Sequence, residues 1–333
     1  MRRSLGWTLA AACAAALTPL LLLALLAVLA VSAWPALVYG GVRFLSSTVW
    51  NMGNLYGGTP SVHAGYTAPQ GASYGALAFL AGTGLTSAGA LILAVPVGLG
   101  VAICLAERAR GRLGRILGFF VELIAGVPSV VFGLWGLVAL VPWLQHHGGP
   151  FLADTLGRVL PFFRGPVYTG QGLLAASIVL GVMVLPLVAA VGRDALLRVP
   201  EEVRDQGRAL GLTQWEIVRD LVLPQAVPGI VGGVVLALGR ALGETMAVLM
   251  VSGTGNLVPA TAYAPTTTMA SALVLDLDSA FTDSTGMAVH ALAELAVLLL
   301  VIAVLVNLVA PLLGRGVSRV AAMVEDEGGA PRW

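Results

Sequence analysis

The chain has 333 residues, 58% of them hydrophobic and 11% charged, where an ordinary soluble domain carries roughly 25% charged residues; this excludes a soluble globular enzyme and suits about six membrane spans with their loops. A net charge of +1 excludes the basic face of a nucleic-acid binder. All 18 basic residues are Arg, and without Lys there is neither a phosphate-gripping P-loop nor a Schiff base.

Two cysteines, Cys13 and Cys104, lie in apolar runs and read as inert packing residues rather than a disulfide framework. His63, His146, His147 and His290 show no metal-ligand spacing. No cofactor and no metal site are expected.

Six apolar runs are long enough to span a membrane, near 10–34, 79–106, 116–143, 171–192, 226–252 and 287–313. The first follows Met-Arg-Arg, is longer than a signal-peptide core and precedes no small-residue cleavage site. It reads as a retained signal-anchor helix. Polar or Gly/Pro-rich loops fall at 35–78, 144–170 and 253–286, and Arg-bearing segments at 107–115 and 193–225. The N-terminus, the two Arg-bearing segments and the C-terminal tail hold 14 Arg, and the other three loops hold Arg43, Arg158 and Arg164. This asymmetry places both termini in the cytoplasm. The division expected is 1–78 as anchor helix and outer loop, 79–313 as transmembrane core with a cytoplasmic loop at 200–224, and 314–333 as a cytoplasmic tail, solvated and mobile around 324–329. Pro96, Pro128 and Pro186 fall inside spans, as packing kinks or as the bends of a pathway that opens and closes.

The segment 199–224 is the most informative. Pro200 with Glu201 and Glu202 starts a helix, since negative charge suits the positive end of the helix dipole. Gly211 stops it. A second short helix places Trp215, Val218, Leu221 and Val222 mostly on one face, and Pro224 ends it before the fifth span. Two short helices about a Gly turn make either an amphipathic connector on the membrane surface or a compact cytosolic knob.

In the fifth span Arg240 and Glu244 are four residues apart, so they share a helical face and can pair. Charges at membrane depth usually face a protein interior or a watery path. The pair is either a neutralised packing element beside a Gly239-x-x-x-Gly243 helix contact or an anion waypoint, an Arg fork gripping oxyanion oxygens. Glu122 snorkels at the end of its span or faces inward. Glu294 pairs with Arg240 or another subunit, or reaches the outer interface. Asp276, Asp278 and Asp283 read as a solvated outer face or a docking patch. Thr266-Thr267-Thr268 is a weak candidate for an outer gate. Trp34, Trp50, Trp135 and Trp143 sit near span ends as interfacial anchors. No span holds a Ser/His, paired-Asp or His-rich constellation for catalysis.

The 199–224 segment resembles the cytoplasmic loop of ABC importer membrane subunits, Glu-Ala-Ala, three residues, Gly, nine residues, Ile-x-Leu-Pro. Here Asp205-Gln206-Gly207 is followed by three residues, Gly211, nine residues and Leu221-Val222-Leu223-Pro224. Gln206 and Gly207 depart from the two alanines. Three further stretches, Ala94–Gly100 with Leu105-Ala106-Glu107, Gly126–Leu137 and Leu238–Val248, resemble phosphate importer permeases of the PstC type over roughly 80–313. The resemblance implies an all-α, six-span type I ABC importer permease of the bacterial inner membrane, non-catalytic, with ATP hydrolysed by a separate subunit. It implies a phosphate path past Arg240 and Glu244. It also implies an ATPase-docking loop formed by Asp205, Gln206, Gly207, Gly211, Leu221, Leu223 and Pro224. Its partners would be a second homologous permease, an ATPase dimer, an extracytoplasmic phosphate-binding protein and membrane lipid, with no nucleic acid. Molybdate or sulfate transport is the runner-up, ahead of a membrane-embedded enzyme or a scaffold.

Overall fold

A computed structural model describes the backbone of residues 2–55, 57–108 and 112–327, and the side chains of these except 2–14, 18, 113, 115 and 309–327. The Cys13 side chain and the end of the expected tail lie outside the described residues. Among the described residues, six helices are long and apolar enough to cross a membrane: Ala15–Gly40, Leu77–Arg108, Ser129–Val159, Leu173–Leu197, Gln214–Leu242 and Met287–Leu308. The last belongs to one helix, Met287–Glu327, so the chain is helical well past 313.

The chain divides into two compact units, residues 1–78 with 272–301 and residues 79–271 with 302–333. In the first, the 35–78 segment is not a plain loop. Trp50–Asn51 pairs antiparallel with Ser73–Tyr74, and Ser61–His63 with Tyr66–Ala68. The second hairpin turns at Ala64 and Gly65, both with positive φ, the geometry of a tight two-residue turn. The outer acids are not a uniform solvated face. Asp283 is buried and accepts the backbone N–H groups of Thr285 and Ala288 at 2.8 and 2.9 Å, so it caps the sixth-span helix. Burial pushes the Asp276 carboxyl upward, and a hydrogen bond from Trp50 partly offsets this. Asp278 alone of the three is exposed.

In the second unit the fourth span is central. Of its most apolar stretch 61% is buried, against 11–28% in the other spans. The fifth span packs on it through Gly229 and Gly233, where a Cβ would come within 2.7 Å of Ala195 and 2.8 Å of Val191. This is the small-xxx-small contact of membrane helices. It replaces the one expected at Gly239 and Gly243: Gly239 only approaches the Asn307 side chain, and Gly243 meets nothing but its own backbone.

The apolar run 116–143 is two elements. Helix Arg112–Ala125 ends in Gly126-Val127-Pro128, and the third span starts at Ser129. Pro128, with φ −57° and ψ 139°, itself lies outside the helical region and so separates the helices instead of kinking one. Glu122 is exposed on the shorter helix rather than buried in a span. The third span then continues through the expected 144–170 loop as far as Val159.

Continuity past proline has a local cause. Wide π-helical turns at Gly136–Leu140, Leu144–Gly148 and Ile217–Val222 come just before Pro142, Pro150 and Pro224. Proline lacks an N–H and its ring crowds the carbonyl four residues back. Widening the turn to a five-residue hydrogen bond, as in Leu223 N–H to Val218 O, makes room for it. Pro224 therefore does not end the second knob helix, which runs on into the fifth span.

Candidate functional site

The knob is built as the sequence suggests, with tighter local chemistry. Helix Glu201–Ala209 opens after Pro200 with two acids in its first turn. Gly211 has φ +77°. Its N–H donates to Arg208 O at 3.0 Å, and that of Leu212 to Gly207 O at 3.1 Å. This paired closure, with a left-handed residue just past the helix end, is the Schellman arrangement. Thr213 then caps the next helix reciprocally. Its hydroxyl accepts the Glu216 N–H at 3.4 Å, while the Glu216 carboxylate accepts the Thr213 N–H at 2.7 Å.

Gly207 explains the departure from alanine. A Cβ there would lie 2.8 Å from Ile217 and 2.9 Å from Leu221, so the two knob helices meet at a residue without a side chain. The buried face of the second helix is Ile217, Val218 and Val222, with Leu221 half-buried. Trp215, expected on that face, is 60% exposed, and Leu210 is 78% exposed. Asp205 and Gln206 are also exposed, with Asp205 held by Arg208 at 2.6 Å. Leu223 is half-buried against the knob's core and Pro224 is exposed.

One contact at the knob went unforeseen. Glu107, at the C-terminal end of the second span, and Arg204, on the first knob helix, form an ion pair at 2.8 Å with side chains 2% and 4% exposed. The missed signal was the pattern: Arg204 lies beside Val203 and one turn from Gly207 on the buried side of a helix whose other charges face out. Cys104, one turn before Glu107, is exposed rather than packed.

The fifth span does not continue to 252. Its helix ends at Leu242, Gly243–Thr245 is non-helical, and a short helix Met246–Val251 follows. The four-residue spacing of Arg240 and Glu244 thus falls across a break and does not make a pair. Glu244, half-buried, accepts the Ala247 N–H at 3.3 Å and caps the short helix. Arg240 is exposed and, among the described residues, has no hydrogen bond or ion pair. Non-helical backbone at membrane depth persists only inside protein or along a water-filled path, and a guanidinium in a helix's last turn is favoured by the dipole. The segment presents one exposed guanidinium and one half-buried carboxylate at the break.

Glu294 is buried, and its Oε2 has no hydrogen-bond partner among the described residues. Thr266, Thr267 and Thr268 are all buried. Thr268 bonds Ser271 at 2.8 Å, while the hydroxyls of Thr266 and Thr267 have no partner among the described residues.

Six apolar helices among the described residues, a two-helix knob before the fifth and a charged break after it define a multi-pass membrane protein. Residues 94–319 match the family described as binding-protein-dependent transport system inner membrane component, and the chain belongs to that family. It is 48% identical over 313 residues to the phosphate transport system permease protein PstC 1 of Mycobacterium tuberculosis, covering 93% of this chain and 92% of that one. It is 36% identical over 296 residues to the phosphate transport system permease protein PstC of Haemophilus influenzae, covering 88% and 87%. Among solved structures, an inward-facing MetNI methionine ABC transporter matches with a TM-score of 0.48 and 21% identity, over 73% of this chain and 94% of that chain.

Proposed function

We propose that the chain is the non-catalytic permease subunit of an ATP-driven phosphate importer in a bacterial plasma membrane. The observation that carries this reading is Arg240: a guanidinium with no partner among the described residues, beside the end of a spanning helix, inside the region that matches the family. An Arg fork binds tetrahedral oxyanions through two parallel hydrogen bonds, and Glu244 shapes the turn that presents it. The relatives' names favour phosphate among such anions. In this reading a second permease completes the path, a binding protein delivers the anion outside, and an ATPase dimer docks on the knob. Asp205 and Gln206 with the exposed Leu210 and Trp215 form the docking face, while Gly207, Gly211, Leu221, Leu223 and Pro224 set its shape.

Uptake of labelled phosphate into vesicles carrying the reconstituted complex tests the cargo. Excess unlabelled phosphate abolishes the signal, and equal sulfate or molybdate leaves most of it. Stronger competition by either of these overturns the phosphate assignment in its favour.

The orientation follows from the 14-to-3 Arg asymmetry. With Cys13 and Cys104 replaced, a cysteine at Ala64 reacts with an impermeant thiol reagent on intact cells, and one at Arg112 reacts only after lysis. The opposite pattern reverses the topology.

A further inference from the structure

The geometry points to Glu107 as a positioning residue that fastens the cytoplasmic ends of the second, fourth and fifth spans to the knob, so that a push on the knob moves all three as one body. The inference rests on the permease reading above and goes beyond it by naming the link between docking and the spans.

Each oxygen of the Glu107 carboxylate serves a different helix. Oε1 accepts both Nε and Nη2 of Arg204, at 3.3 and 2.8 Å. Oε2 accepts Nε2 of Gln214 at 3.1 Å, and Gln214 opens the helix that becomes the fifth span. Arg204 spends its remaining donors on the end of the fourth span, Nη2 to Leu196 O at 3.0 Å and Nη1 to Val199 O at 2.7 Å. Leu196 lies in the last turn of that helix and Val199 just past its end, where positive charge is favoured; the Leu196 carbonyl also accepts the Val199 N–H at 3.3 Å. One carboxylate and one guanidinium thus join the second span, the fourth span, the first knob helix and the start of the fifth span.

Burial makes this junction stiff. A surface ion pair exchanges freely with water and contributes little; the knob's exposed pairs, Arg208 with Glu201 and Asp205 and Arg219 with Asp220, are of that kind. The Glu107–Arg204 pair is out of water, and breaking a buried pair strands a charge. Apolar packing around it, from Ala102, Ala106, Ala195, Leu196 and Ile217, excludes competing solvent. Packing alone would let helices slide, whereas a forked, directional contact fixes register.

The test uses the complete reconstituted complex and reads anion imported per ATP hydrolysed. Glu107→Asp keeps the charge but shortens the reach by about 1.5 Å, too little to hold Arg204 and Gln214 together. Gln214→Leu removes one arm at an exposed residue. Each is expected to lower the ratio at least about threefold in complexes that co-purify intact. The double variant is expected to match Glu107→Asp alone, because both changes act at one contact. A wild-type ratio in both single variants overturns the inference, as does a fall in uptake and hydrolysis at constant ratio, which marks simple structural glue. If Glu107→Asp fails to assemble, Gln214→Leu decides. Amide hydrogen exchange across 200–216 in the purified permease supplies a readout independent of cargo: the variants exchange about tenfold faster if the clasp holds the knob, and unchanged exchange overturns it. A wild-type complex that imports another anion refutes the phosphate assignment while leaving both readouts usable.

Discussion

Arg240→Gln is expected to cut phosphate uptake at least about tenfold while the complex still assembles. A hydrogen bond to a charged group contributes roughly 1.5–3 kcal/mol, and each 1.4 kcal/mol is a factor of ten. Because Arg240 is exposed and has no partner among the described residues, removing it strands no buried charge, so assembly is spared. Arg240→Lys restores only part of the uptake, since a single ammonium does not reproduce a planar two-pronged grip. Glu244→Gln is expected to be mild, because the amide oxygen still accepts the Ala247 N–H that Glu244 now accepts at 3.3 Å. The exchanged pair, Arg240→Glu with Glu244→Arg, does not recover uptake, because the break at Gly243–Thr245 gives the two residues different surroundings. Near-normal transport by Arg240→Gln in an intact complex removes Arg240 from the anion path.

How much of this could be read in advance depends on the range of the interaction. Span number followed from local apolar content and required no tertiary knowledge. The Gly211 turn was legible because one residue type and one backbone conformation go together. Several of the boundaries that moved did so at prolines. Pro128 divides a run that hydropathy reads as continuous, whereas Pro142, Pro150 and Pro224 are carried through by a widened turn. Proline alone does not say which of these will happen; the outcome depends on whether the residues before it can widen the helix without losing their packing. The end of the fifth helix at Leu242 was equally hidden, because Gly243-Glu244-Thr245 lies within an apolar run. Glu107 and Arg204 are 97 residues apart in the chain, and no local pattern joins them. At the knob the sequence indicated the motif but not which of its residues face out. Trp215 and Ile217 are both apolar and two apart, and only packing against Gly207 decides that Ile217 goes in.

Gly211 gives the second large effect. Its φ of +77° lies in the left-handed region, and a Cβ added there meets nothing within 4 Å, so a side chain is penalised by the backbone and not by a clash. The left-handed conformation costs an L-residue roughly 1–2 kcal/mol, and a β-branched residue tolerates it least. Gly211→Val is therefore expected to leave that conformation, which breaks the paired hydrogen bonds to Arg208 and Gly207 and shifts Leu210 and Trp215 on the exposed face. An ATPase that needs that face in register then binds roughly 5–30-fold more weakly, the factor that 1–2 kcal/mol sets, and uptake is lost. Gly211→Asn separates conformation from mere substitution, because Asn enters the left-handed region with its short polar side chain; it is expected to retain most ATPase co-purification and uptake. Normal co-purification and transport in Gly211→Val refute the requirement for a left-handed turn. Equal losses in Val and Asn refute its conformational basis, since then any side chain at 211 obstructs docking whatever backbone it adopts.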